Sequence, residues 1–135
     1  MVTSGYEEID HIADLAIRVW GEDIFAIMRQ SARGMYAFMN VVSNRDAAIK
    51  LTIPIQKSLS EIMLIDFLSE LLYLSEDQKI IFEEFNFSDE GDEIVITAVG
   101  HQAESITRNI KAVTYHNLEL IACQNGFETT ITFDV

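Results

Sequence analysis

Two aspartates at opposite ends of the chain, and a lysine between them, are the residues whose placement could do chemistry. Asp14 closes the run Asp10-His11-Ile12-Ala13-Asp14, and Asp134 sits in the final Phe133-Asp134-Val135. Asp134 and a free carboxylate on Val135 put two acidic groups one residue apart. If strand pairing draws Asp14 alongside, three anionic groups share one spot, which is unfavourable unless a cation or a lysine offsets it. Such an all-oxygen set favours Ca2+ or Mg2+ over zinc. A plainer reading stands beside this one: Asp14 caps a turn, and Asp134 is a solvated charge at the end of an edge strand.

The polar run Lys111-Ala112-Val113-Thr114-Tyr115-His116 lies between them in sequence. On a strand, Lys111, Val113 and Tyr115 share one face, and Ala112, Thr114 and His116 the other. A lysine beside an acidic cluster keeps the acids ionised or contacts an anionic ligand. The alternative is a surface lysine next to a buried tyrosine. His11 and His116 are the nearby imidazoles, which either hold metal ligands in place or serve as a general base. His101 falls on a strand end and reads as structural. Asp66 and Glu70 are a like-charged i, i+4 pair, expected to form a solvated stripe on a helix. No Gly-x-Ser-x-Gly elbow, phosphate-binding loop or dinucleotide fingerprint is present in the sequence.

The elements that must position these residues follow from periodicity. Tyr6 to Asp10 and Leu15 to Trp20 read as strands, the second with Leu15, Ile17 and Val19 alternating against Ala16, Arg18 and Trp20. Residues 22–40 carry Ile24, Ile27, Met28, Met35 and Phe38 at helical spacing, with Gly34 a local weakness. Ala47 to Ile55 alternates as a strand. Ser58 and Glu61 have capping-box spacing ahead of a helix to about Ser75. Its apolar set is so wide that it belongs at the centre of the core. Ile80 to Phe87 and Glu93 to His101 read as strands around the turn Ser88-Asp89-Glu90-Gly91-Asp92. Lys111 to Cys123 and Phe127 to Val135 are two more, joined by the hairpin signal Asn125-Gly126. The order predicts an α+β fold: a mainly antiparallel β-sheet packed with two principal helices.

Composition sets the outer limits. A chain of 135 residues with 49% apolar content fits one folded domain. Nine basic against 22 acidic residues leave a formal charge of −13. That surface repels phosphate backbones and suits a basic partner or bound cations. The single Cys123 excludes an internal disulfide and a cysteine-based zinc site, and points to a reducing, intracellular setting. The polar N-terminus predicts no secretory signal, and Asp66, Ser69 and Glu70 interrupt the longest apolar stretches.

Taken together, the three segments resemble the archease family. Tyr6-Glu7 through Asp14 is similar to that family's opening, which usually has a Thr where Ile12 stands, so this chain lacks that hydroxyl. Lys111 to His116 matches its signature run. Phe133-Asp134-Val135 resembles its ending, and Asp66 to Tyr73 its central helix. The resemblance spans the whole chain and implies one archease-like domain over residues 1–135. It implies an accessory protein rather than an enzyme: a non-catalytic activator of the GTP-dependent RNA-splicing ligase RtcB. Such a protein promotes guanylylation of the ligase's active-site His, and hence multiple turnover in tRNA splicing or RNA repair. It implies a divalent-cation site, for Ca2+ first and Mg2+ second, on Asp14, Asp134 and Val135, and an activating role for Lys111. RNA would be met only through the ligase, in the cytoplasm, with no membrane partner. Two other classes stay open: a metal-dependent enzyme acting on a small substrate through His11 or His116, and a metal-independent, chaperone-like binding module.

Overall fold

The computed structural model describes residues 4–9 and 14–135. Within them the chain forms β1 (Gly5–Ile9), β2 (Leu15–Gly21), α1 (Ile24–Met39), β3 (Val41–Ser43), β4 (Ile49–Gln56) and α2 (Ser60–Asp77). It continues with β5 (Ile80–Asp89), β6 (Glu93–Ile106), β7 (Ala112–Thr114), β8 (Ile121–Cys123) and β9 (Gly126–Asp134). Every strand pairing is antiparallel. The fold is α+β, as the element order predicts.

The strands divide into two sheets. In the first, β1, β2, β9 and β7 lie side by side, and β8 also pairs with β9. The chain's early and late segments therefore meet in one sheet. In the second, the long β6 pairs with each of β3, β4 and β5. Helix α1 packs on β1, β2 and β9 and reaches β5, while α2 packs on β7, β4 and β5. The helices thus form a layer that touches both sheets, and one apolar cluster joins all of it.

Local chemistry explains the helix limits. Asp23 caps α1, its side chain accepting the Ala26 N–H at 2.8 Å. Asn40 closes the helix in the left-handed region at φ 51°. The buried stripe Ile27, Met28, Ala32, Met35 and Met39 follows the helical repeat and lies in the core. Helix α2 buries Met63, Leu64, Ile65, Phe67, Leu68, Leu71, Leu72 and Leu74, which bears out its central placement.

Four local readings change. The capping box at Ser58 and Glu61 does not form: α2 begins at Ser60, and Leu59 stands at its N-cap with no side-chain bond. Glu61 instead accepts the Leu120 N–H at 3.1 Å, so a tertiary partner outcompetes the local cap. The expected strand from Lys111 to Cys123 is two short strands separated by a loop. The chain leaves the sheet after Thr114 because Asn117 turns it at φ 53°, with the Leu118 N–H donating to the Tyr115 carbonyl at 3.0 Å. Leu118 and Leu120 then pack against the core instead of continuing a ladder. In the β8–β9 hairpin, Cys123 pairs with Gly126, so Gln124 and Asn125 make the turn and Gly126 already belongs to β9. The short β3 carries too few residues to show a period, and it forms by pairing with the end of β6.

Candidate functional site

The end of the first sheet gathers the sequence's candidate residues. Leu15 pairs with Phe133, the last step of the β2–β9 ladder in that direction. Asp14 immediately precedes Leu15 in the chain, and Asp134 immediately follows Phe133. Facing residues of antiparallel strands lie about 4.5–5.5 Å apart at Cα. On the other side of β9, Ala112 pairs with Asp134, and the Lys111 N–H donates to the Asp134 carbonyl at 2.7 Å. Asp134 therefore lies between the strand that begins after Asp14 and the strand that begins after Lys111.

Burial on the inner face fixes this arrangement. Leu15, Val113 and Phe133 all lie in the core, and Ile110, next to Lys111, is fully buried. Alternation then turns Asp134, with Thr132, toward the opposite face of the sheet. Thr114 strengthens the junction, its hydroxyl donating to the Thr132 carbonyl at 3.1 Å. At the rim, Lys111 and Asp134 are exposed, Asp14 is half-buried, and Val135 is 37% exposed. The apolar anchors hold the backbone while the polar side chains stay accessible.

The remaining candidates are placed differently. His11 lies outside the described residues, as do Asp10, Ile12 and Ala13. His116 is in the turn beyond the far end of β7 from Lys111. Its N–H donates to the Thr114 hydroxyl at 3.3 Å, and its Nε2 lies 3.2 Å from the Asn117 amide nitrogen. His101 contacts Glu83 on the second sheet, with Nδ1 to Oε1 at 3.1 Å. Asp66 and Glu70 line an open groove with Pro54, Ile55, Gln56 and Ser69.

Among the described residues, no group of three or more His, Cys, Asp or Glu side chains could hold a metal ion. Asp14 and Asp134 offer two carboxylates. That donor set is all oxygen and fits a hard, hydrated ion, not zinc. Nearby, Lys111 adds a compact positive charge that a phosphate or carboxylate can approach.

A second polar site combines residues far apart in sequence. Arg29 and Arg33 of α1 line a groove against the bulged part of β5. Their i, i+4 spacing was legible, but the strand that completes the groove is far away in sequence.

Among the described residues, no helix is long and apolar enough to cross a membrane. The family model described as Archease protein family (MTH1598/TM1083) matches residues 6–135. The chain is 30% identical to Protein archease of Methanosarcina barkeri, with 96% of this chain and 95% of that protein covered. It is 32% identical to Protein archease of Methanosarcina acetivorans over the same shares. In structure it resembles protein 1598 of Methanobacterium thermoautotrophicum, with a TM-score of 0.71 at 20% identity, covering 97% of this chain and 99% of that one. It also resembles an archease from Thermotoga maritima described as a possible chaperone, with a TM-score of 0.70 at 20% identity and 96% of each chain covered. At that identity the two structures speak for the fold alone.

Proposed function

This chain belongs to the archease family, and from that premise we propose that it is a non-catalytic activator of a GTP-dependent RNA-splicing ligase of the RtcB type. In this reading it promotes guanylylation of the ligase and so its repeated turnover in tRNA splicing or RNA repair, within the cytoplasm. The observation that supports it most is the meeting of Asp14, Asp134 and Lys111 at one sheet end through the β2–β9–β7 register. Those are the residues onto which the family's cation site and its important lysine carry over.

A surface of −13 repels RNA, so the RNA is held by the ligase. The same surface attracts a basic cleft, which favours rapid and oriented encounter more than raw affinity. Asp14, Asp134 and the Val135 carboxylate would hold Ca2+ or Mg2+. A hard cation held there would neutralise the carboxylates and could polarise an oxygen ligand. The Lys111 ammonium, carried on the residue whose backbone is tied to Asp134, provides a point charge for a phosphate oxygen.

The test is multi-round RNA joining by the ligase from the same source, with and without this protein. Stimulation by the wild type, and its reduction in Asp14→Ala, Asp134→Ala and Lys111→Ala, is the expected result. No stimulation by the wild type removes the function. Full stimulation by all three variants removes the site assignment. Stimulation that also survives a chelator moves the reading to a chaperone-like module, the description given to the Thermotoga relative.

A further inference from the structure

Positive charge is scarce in this protein, and its distribution is uneven. Of nine basic residues, Arg29 and Arg33 sit one turn apart on the exposed flank of α1. Together with Gln30, Glu83, Glu84, Phe85 and Asn86 they line a groove of about 500 Å³. Among the described residues neither arginine is in an ion pair, although the chain has 22 acidic residues and two line the same groove. Glu83 is engaged elsewhere: Arg45 holds one carboxylate oxygen at 2.8 Å and His101 lies 3.1 Å from the other. A bulge between Phe82 and Glu84 sets this stretch of β5 out of regular register.

Arg29 is held in place. Its Nε and Nη2 both donate to the Phe85 carbonyl at 3.3 Å. Its guanidinium lies over the Phe87 ring at 4.9 Å, and Phe87 stacks on Phe25 at 4.8 Å. The remaining N–H groups of that planar fork are fixed before any ligand arrives, which lowers the entropy lost on binding. Arg33 stands four residues on, within about 5–6 Å at Cβ. Two guanidiniums at that spacing match a group with three or more anionic oxygens better than a planar carboxylate, which one arginine fork saturates. The groove volume exceeds what one bare ion needs, and the amides of Gln30 and Asn86 supply donors and acceptors for an organic portion.

We propose that this groove is a binding site for a small phosphate-bearing molecule, its phosphate clamped between Arg29 and Arg33. The site is separate from the Asp14–Asp134–Lys111 end and does not depend on the function proposed for it. Glu84 opposes it: its carboxylate lines the groove and repels an anion, which makes the affinity modest and salt-dependent.

Inorganic pyrophosphate is the probe, titrated calorimetrically into the full chain at low ionic strength with chelator present, and followed in parallel by amide chemical shifts. The expected result is saturable binding with shifts centred on residues 29–33 and 83–86. Arg33→Ala should weaken it by about tenfold, the loss of one charge-assisted contact. Glu84→Gln should tighten it, and Lys50→Ala, at an exposed position of β4, should leave it unchanged. Both groove substitutions are at exposed positions, so the folded state is retained. Absence of binding overturns the proposal, as does equal affinity in Arg33→Ala. Loss in Lys111→Ala with no loss in Arg33→Ala places the anion at the other site and also overturns it. Citrate binding as tightly as pyrophosphate overturns the assignment to phosphate.

Discussion

The backbone N–H of Lys111 donates to the carbonyl of Asp134 over 2.7 Å. This bond makes the basic residue just before β7 and the acidic residue that ends β9 into neighbours, whatever their side chains do. It also means that side-chain changes at either position leave the backbone connection in place.

That separation of backbone from side chain gives the first prediction. Asp134→Asn retains the carbonyl, so its thermal midpoint should stay near that of the wild type, as exposed substitutions usually do, within about 0.5 kcal/mol. Its affinity for Ca2+ should fall by about tenfold or more, because a neutral amide replaces a carboxylate ligand. Calorimetric titration of both proteins decides this. Equal affinity would exclude Asp134 from the cation shell.

Gly100 is the position where the second sheet tolerates no side chain. It pairs with Phe82 beside the β5 bulge, and an added Cβ would collide with the carbonyl oxygen of Ile81. Backbone cannot swing aside as a flexible side chain can. Gly100→Ala should therefore destabilise the protein by about 2–3 kcal/mol or more in denaturant unfolding. A loss under about 0.5 kcal/mol would mean that the bulge relaxes freely.

Among the described residues, the buried hydroxyl of Tyr36 has no hydrogen-bond partner of normal geometry. Burial pushes the phenol pKa well above its ordinary value, and the nearby Phe82 backbone acts in the opposite direction. A lone buried polar group costs about 1–3 kcal/mol in desolvation. Tyr36→Phe should accordingly unfold at the same or higher denaturant concentration than the wild type. Marked destabilisation would reveal a bonding role that the geometry does not contain.

Asp89 gives a prediction in pH. Its hydrogen bond to the Lys57 ammonium, at 2.7 Å, holds its carboxyl below the ordinary value, and the Gly91 N–H adds to this at 3.1 Å. A carboxyl lowered on folding contributes stability above its unfolded pKa, and that contribution is lost as pH falls through the folded value. Lys57→Ala should raise the Asp89 titration midpoint in a carboxyl-detected titration. An unmoved midpoint would assign the lowering to the turn backbone.

Much of the fold was legible because it depends on local period. Leu15, Ile17 and Val19 alternate, and all three are buried on β2; the α1 stripe repeats every turn; Asn125 marks a hairpin. The candidate chemistry was legible only as residue types, since two aspartates and a lysine carry no distance between them. Local signals failed where a distant partner competed. Glu61, spaced to cap α2, bonds Leu120 instead, and the run after Thr114 leaves its strand to bury Leu118 and Leu120. The sequence by itself determined the alternation, the helical faces, the acidic surface and the kinds of ligand atom available. Only the tertiary structure decided that the strand after Asp14 pairs with the strand that ends at Asp134, that Lys111 is tied to the same strand end, and that Arg29 and Arg33 face a bulge of β5. The reason is physical: side-chain period is set by neighbours along the chain, whereas strand register is set by burying Leu15, Val113 and Phe133 together, which no local segment can do alone.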